Sequence, residues 1–160
     1  TLRELWLSLN GIGDDGANSL ARMVRHHPTL LVLNLSENGI GPRGAEYLGA
    51  ALRDNTTLSA LWMNGNKIGD GGIRSIAGAV GANGRSALTT LSFNEADITD
   101  VGAEHLARLL SDGDGAGCQL QVLGLYGNSI SDRGAVALAA ALDGGGHGGG
   151  GGGGNTSLTE

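Results

Sequence analysis

One pattern constrains this chain more than any other: the same set of apolar anchors returns five times. Leu2, Leu5, Leu7, Asn10 and Ile12 reappear as Leu30, Leu33, Leu35, Asn38 and Ile40, and again as Leu58, Leu61, Met63, Asn66 and Ile68. They return as Leu88, Leu91, Phe93, Ala96 and Ile98, and then as Leu120, Leu123, Leu125, Asn128 and Ile130. A sixth copy begins at Leu158, two residues before the last residue, Glu160. A fixed internal period of this kind means stacked supersecondary units rather than one globular core. The units run 1–28, 29–56, 57–86, 87–118 and 119–156, with 157–160 opening the next.

Each unit changes period halfway. The first half, as in Glu4-Leu5-Trp6-Leu7-Ser8, alternates apolar and other residues, which predicts a half-buried strand. The second half follows helical spacing, as at Ala17, Leu20, Ala21 and Val24, or Ala135, Leu138, Ala139 and Leu142. A glycine opens this half in every unit: Gly16, Gly44, Gly72, Gly102 and Gly134. Asp14, Asp70, Asp100 and Asp132 stand two residues before it, where an acidic acceptor suits a helix N-terminus, and Pro42 takes that place in the second unit. A single strand and helix cannot bury their apolar faces alone, whereas stacked units can. The stack has a parallel sheet on one side and helices on the other. Helices are about 10 Å wide and strands about 4.8 Å apart, so the stack bends with the strands on the concave face.

With its Asn55-Thr56-Thr57-Leu58 and Asn155-Thr156-Ser157-Leu158 junctions, the whole chain resembles leucine-rich repeats of the ribonuclease-inhibitor type. The resemblance implies an α/β horseshoe that binds proteins. Such arrays occur in NOD-like receptors and Ran GTPase-activating proteins, so a GTPase-regulating array and a ligand-sensing or autoinhibitory one are the two alternatives it allows. The strongly acidic tail associated with the Ran-type family is absent from this stretch, and no functional residue carries over. The family's ladder asparagine bonds to backbone at the turn after the strand, a role that falls on Asn10, Asn38, Asn66 and Asn128. Ala96 cannot fill it, which predicts a looser or water-satisfied fourth turn.

Within each strand the outward positions flank the buried leucines. They form three columns: Glu4, Val32, Ala60, Thr90, Val122; Trp6, Asn34, Trp62, Ser92, Gly124; and Ser8, Ser36, Asn64, Asn94, Tyr126. Three of only five aromatics, Trp6, Trp62 and Tyr126, therefore point into the concave face. Large side chains with few rotatable bonds anchor interfaces. The expected partner site is Trp6, Trp62 and Tyr126 with Asn34, Asn64, Asn94, Glu4 and Glu37. Trp6 and Trp62 lie two units apart, roughly 10 Å at sheet spacing, within reach of one partner element. Glu4, Glu37 and Glu95 make this face weakly acidic, which favours a neutral or basic protein surface.

Other chemistry finds little footing. The net charge of −6 argues against a nucleic-acid binder. No apolar run approaches the roughly 20 residues of a membrane span, and no signal peptide is visible. One cysteine, Cys118, excludes an internal disulfide and fits a reducing, cytoplasmic setting. His26, His27, His105 and His147 form no cluster with metal-ligand spacing, and Asp112 and Asp114 lack the terminal glutamate of a calcium loop. The expectation is a non-enzymatic scaffold with no metal and no cofactor.

The length differences between units fall between helix and next strand, where closure cost rises slowly with length. The largest contains the glycine run within 143–154, which reads as a flexible loop and has no Gly-Lys-Ser/Thr ending. The chain opens in phase with the repeat, lacks an initiator methionine and shows no polar cap at either end. These features predict a fragment of a longer array.

Overall fold

The structure, a computed structural model, describes residues 1–111 and 119–144. Strands and helices alternate strictly: β1 (Glu4–Trp6), α1 (Gly13–His26), β2 (Val32–Asn34), α2 (Pro42–Leu52), β3 (Ala60–Trp62), α3 (Gly69–Ala82), β4 (Thr90–Ser92), α4 (Asp100–Ser111), β5 (Val122–Gly124) and α5 (Asp132–Gly144). The strands form one parallel sheet in sequence order, β1-β2-β3-β4-β5. Its register aligns Glu4, Val32, Ala60, Thr90 and Val122 across the sheet, and likewise the leucines Leu5, Leu33, Leu61, Leu91 and Leu123. The α/β leucine-rich-repeat solenoid expected from the period is therefore the fold. Helix α5 takes in Asp143 and Gly144, so it claims the start of the glycine-rich segment. The remainder of that segment, His147, the start of the sixth unit, and Asp112, Asp114 and Cys118 lie outside the described residues.

One continuous core lies between sheet and helices. Leu33, Leu35, Ile40, Leu61, Met63, Ile68, Leu91, Phe93 and Ile98 are fully buried, with Ala45, Leu48, Ile73, Ile76 and Leu106 packing down from the helices. Phe93 thus occupies a leucine place. The same positions in the first and fifth units, Leu5, Leu7, Leu123 and Leu125, are only partly buried, because among the described residues each has a neighbouring unit on one side alone.

Polar side chains stitch one unit to the next. The Asn38 carboxamide oxygen accepts from the Asn10 and Ile12 amides of the preceding unit (3.1 and 3.2 Å), while its nitrogen donates to the carbonyls of Leu7, Leu35 and Ser36. Asn66 does the same for Asn38 and Ile40, and Asn128 for Ala96 and Ile98. The asparagine thus serves two units, which changes the expected consequence of Ala96. The fourth turn keeps its register: the Gly69 amide still reaches the Ala96 carbonyl (3.0 Å) and Asn128 still holds the Ala96 and Ile98 amides. The deficit falls one unit earlier, on the Asn66 and Ile68 amides, which find no carboxamide at position 96.

The aspartates also act one unit further on than the sequence alone suggests. Asp14 accepts from the Gly41 and Gly44 amides at the start of α2 (2.7 and 2.9 Å), Asp70 from Thr99 and Gly102 at α4, and Asp100 from Ser131 and Gly134 at α5. Each carboxylate caps the next unit's helix, offering charge where the helix dipole favours it. The helix-opening glycine follows from this contact. A Cβ on Gly102 would stand 2.5 Å from the Asp70 carboxylate and 2.6 Å from Ile98 Cγ2, and Gly44 and Gly134 are equally crowded. Pro42 breaks the series, and α3 begins without a side-chain cap.

Candidate functional site

The central outward column runs Trp6, Asn34, Trp62 across β1, β2 and β3. Sheet spacing puts the two tryptophan backbones roughly 10 Å apart. Their side chains nevertheless lean together over Asn34 and stack, with ring centroids 5.2 Å apart and planes 24° from parallel. They form one aromatic ridge rather than two separate posts. Trp6 remains 57% exposed and its indole N–H donates to the Glu4 carboxylate (3.2 Å). Trp62 is half-buried. Tyr126, 76% exposed, stands at the opposite end of the face, away from the ridge.

The three asparagines are oriented by backbone. The Asn34 carboxamide oxygen accepts from the Ser36 amide (2.9 Å), that of Asn64 from the Asn94 amide and the Ser92 hydroxyl (2.9 and 2.7 Å), and that of Asn94 from the Tyr126 amide (2.8 Å). A backbone N–H requires an acceptor, so the oxygens turn inward and the NH2 groups are left to face outward. Among the described residues those NH2 groups have no partner. The strand face therefore carries a row of three amide donors beside the indole ridge.

Glutamates flank the row. Glu37 and Glu95 sit at strand exits in the left-handed region (φ 55° and 52°), a conformation that costs a non-glycine residue about 1–2 kcal/mol. Each lays its stem over the glycine of the next unit. A Cβ on Gly65 would meet Glu37 Cγ at 2.7 Å, and one on Gly127 would meet Glu95 Cγ at the same distance. Both glutamates are exposed. Not every outward position is open. Ser36 is buried and its hydroxyl has no partner among the described residues, while Ser92 is buried with its hydroxyl turned to Asn64.

A second polar ladder escaped the sequence reading. At the helix-to-strand turns, His27 Nδ1 accepts from the Thr29 and Leu30 amides, Asn55 joins the Val24 carbonyl to the Thr57 and Leu58 amides, and Asn83 donates to the Leu52 and Asn55 carbonyls. Only the Asn-Thr-Thr-Leu junction signalled it. The adjacent histidines have separate roles here: His27 closes the turn, and His26 is an exposed residue of the last turn of α1. Among the described residues no group of three or more His, Cys, Asp or Glu side chains could hold a metal ion, and no helix is long and apolar enough to cross a membrane.

A parallel sheet built from repeated strand–helix units, with aromatic and amide side chains on its open face, defines a repeat protein of the solenoid class. The leucine-rich repeat sequence profile matches residues 1–21, 26–49, 54–77, 86–107 and 118–139, and the chain belongs to that family. Its fold is similar to leiomodin-1 actin-binding site 2 (TM-score 0.71, 18% identity, 88% of this chain and 79% of that one). It is also similar to the tropomodulin C-terminal domain of Caenorhabditis elegans (TM-score 0.68, 11% identity, 89% and 83%). No curated protein sequence matches it.

Proposed function

We propose that the chain is a non-enzymatic scaffold that binds another protein on its strand face. The observation that carries this reading is the exposed Trp6–Trp62 ridge beside the amide donors of Asn34, Asn64 and Asn94. A rigid strand array loses little conformational freedom when a partner docks. Outward NH2 groups suit partner carbonyls, and Glu4, Glu37 and Glu95 suit basic side chains, one of which can lie over the indole pair. Tyr126 contacts a partner long enough to span the sheet. The site needs no cofactor or metal, and its acidic rim disfavours nucleic acid. The 28-residue early units, each with a full α-helix, support the ribonuclease-inhibitor subtype, and the single cysteine a cytoplasmic setting. No observation on the strand face favours the GTPase-regulating alternative, or the ligand-sensing or autoinhibitory one, over a simple scaffold.

Actin is the first defined partner to try, because the leiomodin-1 domain of similar fold is described as an actin-binding site. The test is affinity capture of actin, and of lysate proteins, by the chain and by its Trp6→Ala/Trp62→Ala variant. Loss of an interface anchor costs about 2 kcal/mol or more, so a strand-face partner should bind roughly 30-fold more weakly to the variant. Circular dichroism should be unchanged in the helical region. Equal capture by both proteins would refute the strand-face assignment.

A further inference from the structure

The helix side carries a feature that the strand-face reading does not use. Between α3 and α4 the surface opens into a groove of about 500 Å³. Arg74, His105 and Arg108 line it, above a floor that includes Gly78, Gly81 and Leu109. Among the described residues no carboxylate lines it. Of the described acidic groups nearby, Glu104 is drawn toward α5 by Arg133 (2.6 Å), and Asp70 holds the Thr99 and Gly102 amides. On the preceding helices Arg25 pairs with Asp54 and Arg43 with the Tyr47 hydroxyl, while Arg22 and Arg53 stand without a side-chain partner among the described residues and do not converge on a histidine. In a chain of net charge −6, this groove concentrates positive charge.

Two further details single it out. Burial, followed by the nearby Arg108 and Arg74 guanidiniums, holds the His105 imidazole below its ordinary pKa, with Asp70 and Glu104 opposing. Arg108 Nη1 lies 3.1 Å from His105 Nδ1, so cations crowd the imidazole. The floor is also open without a packing reason. Mid-helix glycine is destabilising by roughly 0.5–1 kcal/mol relative to alanine. Gly72 is sterically required, because a Cβ there would collide with Ile68 and Ala45, but a Cβ on Gly78 would meet nothing within 4 Å and one on Gly81 only Leu109 at 3.5 Å. A local rule broken with no folding gain points to a functional position.

We propose that the α3–α4 groove is a second docking surface, which takes a short acidic peptide segment and seats its carboxylates between Arg74, His105 and Arg108. Guanidinium groups match carboxylate geometry, and the glycine floor lets a partner backbone approach closely. A short acidic segment places its few charges inside the groove. A nucleic acid carries one charge per roughly 1.7 Å of duplex, so most of its phosphates would meet the acidic remainder of the surface.

The probe is a hexaglutamate peptide titrated into the labelled chain and followed by NMR. Shifts should concentrate at Gly78, Gly81, Arg74 and His105. The bound carboxylates should raise the His105 pKa by about one unit, which makes binding about tenfold tighter once the imidazole is protonated. Arg74→Gln/Arg108→Gln, both at exposed positions, should weaken binding at least tenfold. Gly78→Leu should do the same with every charge in place. Trp6→Ala/Trp62→Ala should leave it unchanged, which separates this surface from the strand face. Equal binding of hexaglutamine, shifts spread over all surface arginines, or indifference to Gly78→Leu would overturn the proposal. Tighter binding of a single-stranded oligonucleotide would assign the groove to polyphosphate and overturn it as well.

Discussion

Ala96→Asn should stabilise this protein, because position 96 is a gap in an otherwise repeated carboxamide ladder. At the equivalent position Asn66 accepts from the Asn38 and Ile40 amides (both 3.0 Å) and donates to the Leu35 and Met63 carbonyls (2.9 and 3.0 Å). An asparagine at 96 would accept from the Asn66 and Ile68 amides, whose residues are buried. Its nitrogen would share the Met63 and Phe93 carbonyls with Asn66 and Asn128. That sharing already occurs at Leu35, whose carbonyl takes both Asn38 and Asn66. Each buried hydrogen bond gained contributes about 0.5–1.5 kcal/mol net, so two restored amides give about 1–3 kcal/mol. For a chain of this size that is about 2–4 °C of thermal midpoint per kcal/mol. Asn66→Ala should cost more than Ala96→Asn gains, about 2–6 kcal/mol, because it strands two buried amides at about 1–3 kcal/mol each. Denaturant unfolding reads both variants, and amide exchange at Asn66 and Ile68 should slow selectively in Ala96→Asn. A lowered midpoint without slower exchange there would refute the ladder account.

Two glycine substitutions should move stability in opposite directions under thermal unfolding. Gly102→Ala drives a Cβ into the Asp70 carboxylate and should cost about 2–4 kcal/mol, the sum of a lost cap and overpacking. Gly78→Ala, with open space around its Cβ, should stabilise by about 0.5–1 kcal/mol; the reverse order would refute the steric reading. Asp100 should add an acid-sensitive component. The Ser131 hydroxyl and amide, with the Gly134 amide and Arg133, hold its carboxyl below the ordinary range. Its contribution is therefore complete above the unfolded value of about 4 and is lost as pH falls through the lower folded value. The stability difference between the parent and Asp100→Asn should shrink across that acid range and stay flat above pH 5.

The repeat was legible because its signal is redundant. Five sets of leucines in register predict the strands, their parallel order and even the residue pairing, as the Glu4-Val32-Ala60-Thr90-Val122 row shows. The side-chain geometry was less legible, because it depends on neighbours many residues away. Strand spacing put Trp6 and Trp62 apart, but both rings clear the shorter Asn34 and can meet above it. The aspartates read as caps of their own helices, since nothing in a local window reveals that Asp70 reaches a turn 29 residues later. The basic groove was hidden for the same reason. Arg74 lies one unit before His105 and Arg108, and only stacking of α3 on α4 brings them together.

The polar stitches also locate the weakest seam. In a solenoid each unit touches only its neighbours, so the seam with the fewest cross-links limits cooperative folding. The first and second units share both the Asn38 ladder and the Asp14 cap. The second and third lose the cap to Pro42 but keep Asn66 and Asn83. The third and fourth keep the Asp70 cap but lose the ladder at Ala96, and on the helix side the same seam opens into the basic groove. The fourth and fifth regain both, through Asn128 and Asp100. Pro42 and Ala96 therefore fall at different junctions, so each seam retains at least one cross-link. A ligand in the α3–α4 groove would bridge the third-to-fourth seam from outside, and its binding energy would add to the coupling that Ala96 leaves incomplete. Ligand in that groove and asparagine at position 96 should then stabilise the same junction from opposite sides of the core.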